Sequence, residues 1–229
     1  MPADPEATRR ETAAERAEDE AHLTKVEVEF GAAERMTFFS DAVVAIALTL
    51  LALELPVPKG NTNAELLHYM HDHLMEYLAF FISFSVIGAH WVGHHTLFRW
   101  LRRLGGRLLR FNLLWLLMMV LIPFATKMLT EDTESGFFVQ FGAYALVQTV
   151  ASVLFGLMAW QMSRHDLLRP GAPPMVLTNS YRRAAVMAVA FGLSIPVALV
   201  GWPAYLVWFL IPIGERFVTA AGKRRTATA

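Results

Sequence analysis

The chain has 229 residues, 55% of them hydrophobic, and a formal net charge of zero. That balance leaves no global basic field for nucleic acid, and the absence of cysteine excludes disulfides and thiolate metal sites. The apolar residues come in long blocks, which points to an all-α membrane protein.

Residues 1–34 hold ten acids and four bases. Lacking an apolar h-region, they are not a secretory signal and read as a solvated, partly helical acidic tail. Crossing the hydrocarbon core takes about 20 mostly apolar residues as helix. Six spans follow, near residues 36–55, 74–97, 109–130, 137–162, 181–200 and 203–219. Gly201, Trp202 and Pro203 make a tight hairpin between the last two. The chain thus divides into a tail 1–34, a six-helix unit 35–219 and a basic tail 220–229.

The loops give the direction. Arg99, Arg102, Arg103, Arg107 and Arg110 lie between the second and third spans, and Arg164, Arg169, Arg182 and Arg183 between the fourth and fifth. Arg216, Lys223, Arg224 and Arg225 follow the sixth. The opposite loops offer Lys59 and Lys127 beside Glu65, Asp72, Glu131, Asp132 and Glu134. Basic residues stay on the cytoplasmic side, so both termini, and both tails, are expected in the cytoplasm.

At 100° per residue, Ile46, Thr49, Leu50 and Leu53 share one stripe of the first span, with Ala42 and Val43 beside it. Ser40 and Asp41 are turned away from that stripe, at about 120° and 220°. An ionisable group inside a span is costly and faces a partner or a wet cavity. Candidate partners are His90, Trp91, His94 and His95 on the second span and Asn112 on the third. An Asp–His–Asn cluster there would fix the rotation of the first span rather than do chemistry.

The run Arg35-x-x-x-Phe39-Ser40-Asp41 followed by AVVAIALTLLALELPVP resembles the first-span signature of the transmembrane protein 175 family, the lysosomal potassium-channel family and its bacterial relatives. Trp91-x-x-His94-His95-x-x-Phe98 and the Asn112…Pro123 helix are similar to that family's second and third spans. The resemblance implies a potassium-preferring cation channel in the prokaryotic plasma membrane, with six transmembrane helices per subunit. It implies a homotetramer, with the first helix lining a central pore and no re-entrant filter loop. No TVGYG-like run occurs, which agrees with the last point. Pore-lining positions carried over are Ile46 as a hydrophobic gate, Thr49 as a hydroxyl, and Leu50 and Leu53 as further rings. Arg35, Phe39, Ser40, Asp41, Trp91, His94, His95 and Asn112 form the implied structural polar network. The implied partners are other copies of the chain, the bilayer and permeant potassium ions, with no cofactor, no resident metal and no enzyme activity.

The alternative is a secondary transporter or a proton-conducting pathway through Asp41 with His94 or His95. No span shows the Gly/Pro-broken pair of an inverted-repeat transporter. An enzyme reading from His90-x-x-x-His94-His95 needs further histidine boxes at the same end. His68, His71 and His73 lie at the other end of the second span, roughly 26 Å away as helix.

Overall fold

The computed structural model describes residues 5–131 and 136–208. Apart from one isolated β-bridge, the described residues are helices and their connections: α1 Pro5–Leu53, α2 Asn63–Asp72, α3 Leu74–Phe98, α4 Gly106–Thr130, α5 Phe137–Arg164, α6 Pro174–Val197 and α7 Ala204–Trp208. Five of these are long and apolar enough to cross a membrane by length and composition. The sixth expected span falls mostly outside the described residues, as do Asp132, Glu134 and the basic C-terminal tail. Of that span, α7 is the described beginning.

The change from charged to apolar sequence near residue 35 does not interrupt the helix. No proline falls between Glu6 and Leu53, and α1 runs through that point as one 49-residue helix. The helix that carries the expected fifth span begins at Pro174, seven residues ahead of 181, because Pro173 and Pro174 supply the extended-to-helical entry that proline favours at a first turn. Arg182 and Arg183 are therefore on α6, about two turns inside it, and not in a loop. At α2, Thr62 accepts a hydrogen bond from the Glu65 backbone N–H at 3.3 Å, and Glu65 accepts from the Asn61 N–H at 2.8 Å. This is a close variant of a capping box.

α5 carries the longest buried stripe and lies between α4 and α6. Around it Trp115, Met119, Ile122, Tyr144, Phe155 and Phe191 make the core. Gly156 permits the close α5–α6 approach, since a Cβ there would stand 3.3 Å from the Ala184 Cβ. A polar string crosses the bundle: the Thr126 hydroxyl donates to Ser83 at 2.8 Å, and Ser83 is 3.1 Å from the Tyr144 hydroxyl. The Trp208 indole donates to Ser194 at 3.1 Å, which ties α7 to α6.

The two arginine-rich loops meet at one end of the bundle. Leu101 bridges to Leu168, the Arg102 N–H donates to the Leu167 carbonyl at 2.8 Å, and the Arg169 N–H donates to the Trp100 carbonyl at 2.8 Å. The Arg169 guanidinium also lies 4.3 Å over the Phe30 ring, joining α1 to this platform.

Candidate pore-lining helix and its clamp

α1 sits at the side of the bundle, packed on α4 and α3. Ala33, Ser40, Val44, Ala47 and Leu51 are buried in that contact, with Met36 and Thr37 in the same stripe. Their spacing of three and four residues defines one face, and its small side chains let the backbones approach closely. About a third of a turn away, Ile46, Leu50 and Leu53 are 56%, 41% and 79% exposed, and Thr49 is exposed with them. The Thr49 hydroxyl donates to the Ile46 carbonyl at 2.8 Å, so its oxygen lone pairs remain free to accept.

Two separate hydrogen-bonded groups fix the rotation of α1. In the buried one, the Asn112 amide donates to the Ser40 hydroxyl at 2.9 Å, and Ser40 donates to the Met36 carbonyl at 2.9 Å. His94 Nε2 lies 2.8 Å from the Asn112 Oδ1 and, as the donor, completes the chain. The His94 ring is held between Phe98 and Trp115, with centroids at 3.8 and 4.4 Å. In the more exposed group, the Trp91 indole donates to Asp41 Oδ1 at 2.9 Å, and His95 Nδ1 is 3.3 Å from Asp41 Oδ2. The expected single Asp–His–Asn cluster is thus two: Asp41 meets Trp91 and His95, while Asn112 meets Ser40 and His94.

Arg35 and Phe39 do not join either group. Both are exposed, and the helix turn carries them onto the Ile46 side of α1, away from α3 and α4. His90 turns instead to α5, with Nε2 3.3 Å from the Gln148 Oε1. His68 and His71 lie 3.1 and 3.8 Å from Asp72 on α2, and His73 stacks on Tyr69. Among the described residues, no group of three or more His, Asp and Glu side chains is placed to hold a metal ion.

The sequence reading missed the attachments at the other end of α1. Lys127 on α4 pairs with Glu54 at 2.8 Å, and the Tyr77 hydroxyl donates to the Pro56 carbonyl at 2.7 Å. Between α1 and α4 an open groove is lined by Leu50, Leu53, Pro123, Phe124 and Lys127.

Comparison with known proteins bears on this arrangement. A protein of Streptomyces collinus named as a potassium channel is 33% identical over 174 residues, which is 74% of this chain and 84% of that protein. The model of a family described as endosomal/lysosomal potassium channel TMEM175 matches residues 35–123, the stretch that holds the stripe and both clamps. The chain belongs to the TMEM175 family. Another relative, named as a potassium channel of Chryseobacterium, is 39% identical over 93 residues, 41% of this chain and 46% of its own length. The fold is shared with the crystal structure of a lysosomal potassium-selective channel TMEM175 homolog from Chamaesiphon minutus. That match has a TM-score of 0.66 and 22% identity, and covers 83% of this chain and 98% of that one.

Proposed function

We propose that this TMEM175-family chain forms a homotetrameric, potassium-preferring cation channel. Four copies of α1 line a central pore, and a sixth span at 203–219 completes each subunit. The arginine-rich platform faces the cytoplasm with both termini, in the plasma membrane of a prokaryote. The observation that carries the reading is the division of α1: one face is buried and clamped, and the other presents Ile46, Thr49, Leu50 and Leu53 uncovered. Closed point-group symmetry supplies the axis toward which four such faces turn. The naming of the Streptomyces collinus relative supports potassium as the permeant ion.

Aliphatic rings cannot replace an ion's hydration shell, so conduction requires a radius that keeps part of the water with the ion. A ring that is too narrow dewets and becomes a gate. Ile46, nearest the clamp, forms that barrier, with Leu50 and Leu53 as wider rings beyond it. Partial dehydration is less costly for potassium than for sodium, and the free lone pairs of Thr49 compensate some of it.

Flux from purified protein in liposomes tests this, under a potassium gradient and then a sodium gradient, with wild type and Ile46→Asn. The expected result is potassium flux above sodium flux, and a larger basal leak in the variant. Absence of passive flux in both proteins, or flux indifferent to Ile46, would return the stripe to ordinary packing.

A further inference from the structure

The uncovered stripe of α1 does not stop at the membrane. Counting back from Ile46 at 100° per residue, Val28 falls on the same line, and Ala21 and Thr24 fall within about 40° of it. All three are exposed, Val28 to 63%. By spacing alone, Ala14 and Ala17 belong to the same strip. Between Glu11 and Glu34 every acidic residue lies at least about 80° away from it. A helix that is merely solvated has no reason to keep one narrow strip free of acids and built of Ala, Ala, Ala, Thr and Val.

We infer that residues 14–28 of α1 are a self-association element, through which the subunits form a parallel helical bundle coaxial with the pore. This rests on the pore reading above, because the partner is a second copy of the same helix. The two are coupled by continuity: α1 is one uninterrupted helix from Pro5 to Leu53. Any assembly that turns Ile46 toward a common axis also turns Val28 and Ala21 toward it.

The spacing Ala14, Ala17, Ala21, Thr24, Val28 is an a/d heptad pattern. Its slow drift of about 20° per heptad against a straight helix is what left-handed supercoiling removes. Alanine and valine bury little area, and the excess of acids in residues 1–34 makes the copies repel. Such a bundle would not hold as free peptides. Tethering by the membrane assembly raises the effective concentration enough to form it. The acids then lie on the outside, where they gather cations around the cytoplasmic entrance.

The chain has no cysteine, so single cysteines report cleanly. Ala21→Cys, Val28→Cys, Leu23→Cys and Leu50→Cys are each treated with a short bis-maleimide in nanodiscs and run on denaturing gels. Leu23 is 62% exposed but points about 140° away from the strip. The expected result is a ladder of linked subunits for Leu50→Cys and for one or both strip positions. Strip positions should link at least about tenfold faster than Leu23→Cys, as effective concentrations differ. Linking at Leu50→Cys with none at Ala21→Cys or Val28→Cys would overturn the bundle and leave the pore reading standing. Equal rates at Ala21→Cys and Leu23→Cys would mean freely colliding arms, and also overturn it. No linking at any position would remove the pore reading and the bundle together.

Discussion

Asp41 and Trp91 are fifty positions apart in the chain, yet the indole N–H of one donates to the carboxylate of the other at 2.9 Å. The bond joins α1 to α3 at the edge of the bundle, and His95 stands 3.3 Å from the second carboxylate oxygen. A carboxylate is tolerated in the span because both of its oxygens have partners. We propose that its work is to hold a rotation.

Asp41→Ala should therefore reduce assembly more than it alters ion preference. Losing hydrogen bonds to a charged acceptor costs about 2 kcal/mol. Thermal stability of the purified oligomer should fall, with the potassium-to-sodium flux ratio of the surviving protein unchanged. Asp41→Asn, which keeps an acceptor for Trp91, should recover part of the lost stability. A changed flux ratio at unchanged stability would place Asp41 in the ion path instead.

Asn112→Ala removes the centre of the buried group and leaves His94 Nε2 without its acceptor. Hydrogen bonds between membrane helices are weaker in net effect than the cost of stranding a group, so a loss of about 1–2 kcal/mol is expected. Ser40→Ala should be milder, because Asn112 keeps its contact with His94. Melting curves of the two variants, followed by tryptophan fluorescence, give the order; Ser40→Ala as the worse variant would contradict it.

Thr49→Val keeps the volume of the side chain and removes its oxygen. With no lone pairs to offset dehydration, total flux should fall while the ring stays open. Potassium should lose more than sodium, so the ratio moves toward unity. Bi-ionic reversal potentials measure that ratio, and an unmoved value would assign selectivity to the aliphatic rings alone.

Much of the inner arrangement was legible, and the reason is geometric. Neighbouring residues on a helix point about 100° apart. Ser40 and Asp41 must then face different neighbours, and so must His94 and His95. The structure resolves the pairs as Ser40 with the Asn112–His94 side and Asp41 with His95. What a single-helix wheel cannot give is register between helices. Glu54 and Lys127 are on different helices, and nothing in either helix's own period announces that they meet. Arg35 and Phe39 belong to the same short motif as Ser40 and Asp41, yet point elsewhere. Proximity in a motif is not proximity in space. The early start of α6 was hidden because polar residues from Thr178 to Arg183 interrupt the apolar block, while the prolines before them begin the helix.

The Glu54–Lys127 pair is exposed on both sides, so it is open to salt screening. If α1 lines the pore as proposed, Lys127→Gln should free Glu54 at its wide end and raise single-channel current at low potassium concentration. Glu54→Gln should lower it. Both differences should shrink at high ionic strength, where surface charge is screened. Equal currents at low salt would put the pair outside the reach of the ion.

Pro123 lies inside α4 beside Leu50 and Leu53, and a proline there removes one backbone bond of the helix. Stiffness is therefore graded along α1. Near Ile46, α1 is riveted to two neighbours by groups that include buried, stacked side chains. Toward Leu53 it leans on a helix with a built-in flexure and on a pair that water can loosen. In the pore proposed above, warming should widen the Leu53 ring while the Ile46 ring holds its diameter, so its narrow point and its compliant point would be different places.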